Sequence, residues 1–328
     1  HLRNAARGGE PGEKEFYFTG RVSQLNRIVA WIRNGEPGAF AVTGPTGIGK
    51  SAILGRIVSL SNHEERTQLF AQEPVLEHAD PGEGSISAHV HALRYTVERL
   101  VTEIAEQLVR NGVLPADAER LTNRTELHGA IQQSGKCPVI VVDGLNESGS
   151  ESWHMANYVL RTLSEVSLVL VGTQDLPPEV ESQSLVNALG AKEVIDLEAP
   201  DIQKEAESDL RRFIEKRLAN VVIPATNLST VAEVVLEFCR EQPAGDFLLA
   251  RFITAQMRRS PLDTSQLQWK KRLVCSIEET IESFVANAPP LIRSGEKIPQ
   301  AARELLSALA WSKGPGLPDD IWPIVATA

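Results

Sequence analysis

Gly44-Pro45-Thr46-Gly47-Ile48-Gly49-Lys50-Ser51 satisfies the pattern GxxxxGK[ST] at every fixed position. It lies between a short apolar run, Ala39–Thr43, and a stretch with helical character, Ala52–Leu60. A strand that feeds a glycine-rich turn into a helix is the setting in which this pattern binds phosphate. The glycines let successive N–H groups aim inward as an anion nest. The helix behind them adds the positive end of its dipole. Lys50 is expected to reach the β- and γ-phosphates, and the Ser51 hydroxyl to ligate Mg²⁺, an ion that keeps most of its waters. The predicted nucleotide contacts are therefore Gly44, Pro45, Thr46, Gly47, Ile48, Gly49, Lys50, Ser51 and the adjoining Ala52.

Working outward, a second strand must supply the metal's outer shell and order the attacking water. Pro138–Val142 is a continuous apolar run that ends in Asp143, which would hold Mg²⁺ through water. Glu147 follows four residues on, where a carboxylate can polarise water for in-line attack. About 90 residues separate the glycine turn from this acidic strand, with one alternating strand, Ser85–Ala92, between them. That suits the additional-strand group of P-loop proteins, with Leu168–Val171 inserted between the two motif strands. Its tip, Thr173 and Gln174, would then face the γ-phosphate. Gly172-Thr173-Gln174-Asp175 matches a guanine-reading NKxD only at its Asp, and no DxxG follows the acidic strand, so adenine is favoured over guanine.

The composition sets outer limits. The chain has 328 residues, 42% hydrophobic and 23% charged, with a net charge of −10. That length suggests two domains and part of a third, and that balance excludes long disorder as the main character. No run approaches the roughly 18 consecutive apolar residues of a membrane span. The acidic balance argues against a dedicated nucleic-acid binder, so nucleic acid is not expected as a partner. Cys137, Cys239 and Cys275 stand singly, which excludes a disulfide framework or a cysteine zinc site and suits a cytoplasmic protein. The chain opens at His1 with no charged-then-apolar leader, and it is expected to be a segment of a longer polypeptide.

Residues 1–15, rich in Gly and charge, read as a linker or arm. Residues 16–199 read as a nucleotide-binding domain, an α/β fold with a parallel sheet of about five strands covered on both sides. Its further expected elements are helices at 23–33, Thr96–Arg110, Arg124–Ser134, Glu151–Glu165 and Val180–Leu189, and a strand at Glu193–Leu197. Residues 61–84 read as a helix end and a loop. Residues 200–290 read as an all-helical domain with helices Asp201–Leu218, Thr230–Arg240, Phe247–Arg259 and Ser276–Val285, and no strand. Residues 291–328, with a helix at Ala301–Trp311, read as the truncated start of another domain.

FTGR (Phe18–Arg21), VTGPTGIGKS and VIVVDGLNES together resemble the STAND-class P-loop NTPases of the NACHT kind, signalling ATPases related to the AAA+ group. The resemblance runs from about residue 14 to the end. Gly245–Arg251 is similar to the family's helical-domain motif around GxP, and LLSALAWSKGPGLPDDIWPIVA to the opening of its winged-helix domain. The resemblance implies ATP/ADP and Mg²⁺ as ligands, Arg21 beside the adenine or ribose, Asp143 as the Walker B metal residue and Glu147 as the second acid. It implies a module of large bacterial regulators, set between an effector domain upstream and a sensor or repeat region downstream, that becomes a homo-oligomer on activation.

Three positions depart from the family. Asn146 stands where an Asp is usual, Gln174 where a sensor arginine is common, and Phe247 where the GxP proline would touch adenine. They weigh against fast hydrolysis more than against binding, and slow turnover suits a timer. The rival readings are a scaffold that holds nucleotide without catalysis, and an autonomous ATPase or GTPase of high turnover. Hydrolysis by the switch is expected to need an arginine finger from a neighbouring domain or subunit, which the sequence does not identify. His89 and His91 share one strand face as half a metal site, and ordinary packing is the favoured reading. Phe16 and Tyr17 either cover the base or staple the arm to the sheet.

Overall fold

The computed structural model describes residues 2–9, 13, 15–72, 79–175, 184–221, 227–240, 246–259, 291–293 and 296–298. Five parallel strands make the central sheet: β1 (Gly38–Thr43), β2 (Ala88–His91), β3 (Val139–Asp143), β4 (Leu168–Gly172) and β5 (Glu193–Asp196). Their order is β2-β3-β4-β1-β5. β4 therefore lies between the glycine-turn strand and the acidic strand, with Leu168 level with Gly38 on one side and Val139 on the other. The inserted strand expected at Leu168–Val171 is in place.

β1, β3 and β4 are buried along their whole length, as strands covered on both faces must be. Alternation then sorts their side chains. Ala39, Ala41, Ile140, Val142, Val169 and Val171 share one core, completed by α5 (Val97–Arg110) and neighbouring helices. Phe40, Val42, Val139, Val141, Leu168 and Leu170 face the other, against α2 (Val22–Asn34) and α3 (Lys50–Ser61). Each of the valine, leucine, isoleucine and phenylalanine side chains among them contributes about 1.5–3 kcal/mol on burial. α5 is capped by Thr96, whose hydroxyl accepts from Arg99 N at 3.3 Å. It also covers part of the β2 edge of the sheet. The Gln107 amide accepts from His89 N and donates to His89 O, both at 2.9 Å. Covering an edge strand's backbone groups in this way is one means of blunting it as a template.

The sequence-predicted elements differ from this fold in several places. Where a linker was expected, α1 (Leu2–Arg7) forms a helix with Leu2 and Ala6 buried. Within the stretch expected to be a loop, α4 (His63–Gln72) forms, a polar helix that buries Leu69 alone. The helix expected over Glu151–Glu165 runs from Ser152 to Leu163, with a π segment (Met155–Leu160) between its α-helical ends α7 (Ser152–His154) and α8 (Arg161–Leu163). α6 (Arg124–Ser134) agrees with its expected bounds, and α9 (Leu185–Leu189) covers the end of the expected 180–189 helix.

Beyond the sheet, α10 (Pro200–Leu218), α11 (Leu228–Arg240) and α12 (Asp246–Arg259) pack around a core of their own that includes Phe213, Val235 and Leu249. A short antiparallel pair, β6 (Leu291–Arg293) and β7 (Glu296–Ile298), stands where no strand was expected. The expected helices Ser276–Val285 and Ala301–Trp311, and the winged-helix-like segment, lie outside the described residues. Among the described residues, no helix is long and apolar enough to cross a membrane.

α1 lies directly on α3 at Gly55. A Cβ added there would sit 2.2 Å from the Leu2 carbonyl oxygen and 3.0 Å from Ala6 N. Gly55→Ala is expected to lift α1 off α3 at a cost of about 1–3 kcal/mol. Thermal melting should show a loss of several degrees, and limited proteolysis should show earlier cutting within residues 1–15. An unchanged melt with unchanged cutting would mean that α1 is not seated there.

Candidate nucleotide site

The glycine turn leaves β1 at Thr43 and enters α3 at Lys50. Gly44, Gly47 and Gly49 take φ values of 138°, 86° and 110°, a region closed to most side chains. Lys50 folds back over this turn, and its ammonium donates to Gly44 O at 2.6 Å and Pro45 O at 2.9 Å. Burial pulls its pKa below the usual lysine value, against the charges of Asp143, Glu147 and Glu198. Ser51, one residue on, donates its hydroxyl hydrogen to Asp143 Oδ1 at 3.1 Å.

Asp143 ends β3 and is 1% exposed. Burial raises its pKa, while the Ser51 hydrogen bond, His91 and Lys50 hold it down. Glu147 sits in the 3-10 stretch Leu145–Glu151, fixed by its own N–H on Gly144 O at 2.8 Å. Its pKa is raised by burial and then by the charge of Asp143, and lowered by Lys50. Both acids line the same cleft as Lys50 and Ser51. Mg²⁺ takes one or two protein oxygens plus waters and substrate phosphates. The Ser51 hydroxyl and Asp143 carboxylate supply that hard-oxygen set, so these residues fit the ion.

The tip of β4 is wired to this end of the cleft. Asn146 Oδ1 accepts from Gln174 N at 2.8 Å and lies 3.5 Å from the Thr173 hydroxyl, while Thr46 Oγ1 donates to Gln174 Oε1 at 3.4 Å. Thr173, expected against the nucleotide, is fully buried with its hydroxyl turned to Asn146 and the Gln174 carbonyl. Asn146 lines the cleft in its stead. Asn146 thus ties the β4 tip to the loop carrying Glu147.

The cleft, of about 310 Å³, continues away from the phosphates to a wall of Phe18, Arg21, Phe213, Phe247 and Leu248. That volume is at the small end of ligand sites. Arg21 caps α2 at φ 55° and is 3% exposed. Its backbone N–H is held by Asp209 Oδ2 at 2.8 Å, and its guanidinium donates to Ile48 O at 3.0 Å and stacks 5.3 Å from the Phe247 ring. Phe213 meets Phe247 edge-on at 5.7 Å. Ala52 and the turn residues Thr46 to Ser51 line the phosphate end. Gly44 and Pro45 contribute through the carbonyls that hold Lys50.

His91 belongs to this site and was set aside in the sequence. Its Nδ1 lies 3.7 Å from Asp143 Oδ2 and its Nε2 3.4 Å from Glu147 Oε2. Burial lowers its pKa, against the pull of Asp143. The register explains the contact: β2 and β3 run parallel with His91 level with Asp143. Pairing the two predicted strands end to end would have found it. His89, two residues earlier, faces the same side, and the two rings share a second pocket with Arg3, Glu103 and Gln107.

The inserted strand, the glycine turn and the acidic end of β3 define a P-loop NTPase of the additional-strand group. Residues 17–171 match the family described as "AAA ATPase domain", and the five-strand parallel sheet with its helices is an α/β P-loop fold of the AAA+ kind. Among solved structures, the chain is similar to the Aeropyrum pernix ORC1 protein in complex with DNA. The two share 16% identity over 95% of this chain and 76% of that one, with a TM-score of 0.52. It is also similar to the A. pernix ORC2 protein in its ADPNP–ADP complexes (12% identity, 78% and 67% covered, TM-score 0.41) and to Thermotoga maritima RuvB (12%, 89% and 76%, TM-score 0.39). At these identities the likeness is one of fold. No protein of curated function matches the sequence.

Proposed function

We propose that the chain is the ATP-binding, slowly hydrolysing switch of a STAND-class signalling protein of the NACHT kind. Its nucleotide state would be read out as the arrangement of α10–α12 against the sheet. One observation carries this reading: the two ends of the cleft come from different structural units. Lys50, Ser51, Asp143 and Glu147 stand at one end, on the sheet side, while Phe213, Phe247 and Leu248 from α10 and α12 close the other. A ligand that touches both biases their relative position by its differential affinity for the two arrangements. Bound Mg²⁺ would neutralise charge on the transferred phosphoryl. Lys50 would hold the β- and γ-phosphates, and Glu147 would take a proton from the attacking water.

The further partners follow the resemblance: an effector region upstream, a sensor region downstream, and copies of the same chain on activation. The A. pernix relative was solved with DNA. The net charge of −10 weighs against the same partner here. The test has two parts. Nucleotide released from the purified chain by denaturation is expected to have the mass of ADP or ATP; GDP would overturn the adenine assignment. Small-angle scattering with ADP and with a non-hydrolysable ATP analogue is expected to give two different profiles. Two identical profiles would overturn the switch.

A further inference from the structure

The arm before the sheet, which reads as a linker in the sequence, is clamped by charge. Glu13 spreads its carboxylate between two helices. Oε2 lies 3.1 Å from the Arg217 guanidinium on α10, and Oε1 lies 3.1 Å from that of Arg258 on α12. The Tyr17 ring fills the space between the same two guanidiniums, 4.7 Å from one and 5.0 Å from the other, and its hydroxyl accepts from Arg258. The arm is closed on itself at the base, where Tyr17 N and Phe18 N both donate to Arg7 O.

Arg217 links this clamp to the cleft. Its side chain is 0% exposed; Nε donates to Thr254 Oγ1 at 2.7 Å and Nη1 to Gly8 O at 3.2 Å. Gly8 lines the nucleotide cleft together with Ala5 of α1. Gly8 also lies close to Phe213, since a Cβ added there would sit 3.2 Å from that ring. A guanidinium buried this deeply is tolerated because a carboxylate accompanies it. Without the Glu13 charge, Arg217 gains by moving toward water, and its bond to Gly8 goes with it. The cleft wall formed by residues 5–8 then loses its tie to α10.

We propose that Glu13 is a positioning residue of the nucleotide site. By joining Arg217 and Arg258 it seats the N-terminal arm as a wall of the cleft, and the strength of that clamp sets how fast nucleotide leaves. The proposal rests on the nucleotide reading above. The test is stopped-flow release of N-methylanthraniloyl-ADP from the 328-residue chain, compared among the parent, Glu13→Gln and Glu13→Asp, with a thermal melt of each. Glu13→Gln is expected to release roughly tenfold faster, about the worth of one charge-assisted hydrogen bond. Glu13→Asp, which keeps the charge, should restore most of the parental rate. If Glu13→Gln melts lower but releases at the parental rate, the residue is structural only and the proposal fails. A parent that holds no ADP overturns the nucleotide reading and this one with it. Should Glu13→Gln not fold, Arg258→Gln removes the more exposed half of the clamp, with the same expected rise and the same refutation.

Discussion

Lys50→Ala is expected to weaken ADP and ATP binding by on the order of 100-fold or more, because charge-assisted contacts to phosphate contribute about 1.5–3 kcal/mol each. The fold should survive. The ammonium bonds two carbonyls of its own turn, Gly44 O and Pro45 O, and alanine leaves those to water. Against that loss stands a gain. Burial holds the folded pKa of Lys50 below its unfolded value, so the unfolded chain binds more protons over that interval. The charged form therefore costs stability at neutral pH, and the cost fades as pH rises toward the unfolded value. Alanine removes this cost, and the melting temperature without nucleotide should move by only a few degrees. Equilibrium titration of a fluorescent nucleotide, paired with a melt, separates the two quantities. A variant that binds as tightly as the parent would remove phosphate from the site. A variant that unfolds would favour the scaffold reading, in which nucleotide contributes stability and carries no signal.

The parts of the site that were legible in the sequence are contiguous there. The glycine turn, Lys50 and Ser51 are eight adjacent residues, and a buried apolar run ending in an acid marks β3 wherever it falls. The inserted β4 was legible for a similar reason: five residues buried on both faces leave no alternation to misread. What stayed hidden depends on tertiary contact. α1 has six residues, too few to be stable by propensity, and it forms because Leu2 and Ala6 are buried against α3. α4 buries Leu69 alone and so carries almost no periodic signal. The far end of the cleft joins Arg21 to Asp209 across 188 positions and Thr19 to the Asp209 carbonyl across 190, and no local pattern encodes such pairs. Tyr17 departs from the expected staple to the sheet: its ring packs in the core of α10–α12, between Arg217 and Arg258. Phe247, which looked like a defect beside a missing proline, lines the cleft between Arg21 and Phe213.

Glu147→Gln should leave nucleotide affinity within roughly threefold of the parent, since the amide is isosteric. Its loop is also held by the backbone, through Glu147 N on Gly144 O and Arg94 N on Glu147 O. Hydrolysis should fall about 10²–10⁴-fold, the usual contribution of a positioned base. The pH profile makes the assignment sharper. Burial and the neighbouring Asp143 raise the Glu147 pKa above the ordinary glutamate value. Only the ionised carboxylate accepts a proton, so the parental rate should climb as pH rises through that raised value and level off above it. The glutamine variant should lack that acid limb, its residual rate being flat where the parent's is steep. Single-turnover hydrolysis from pH 4 to 8 measures both. A variant that keeps the parental rate and limb would move the base to another group beside these acids. His91 would be the first to test, since its ring spans the gap between Asp143 and Glu147. His91→Asn would then lose the limb that Glu147→Gln retained.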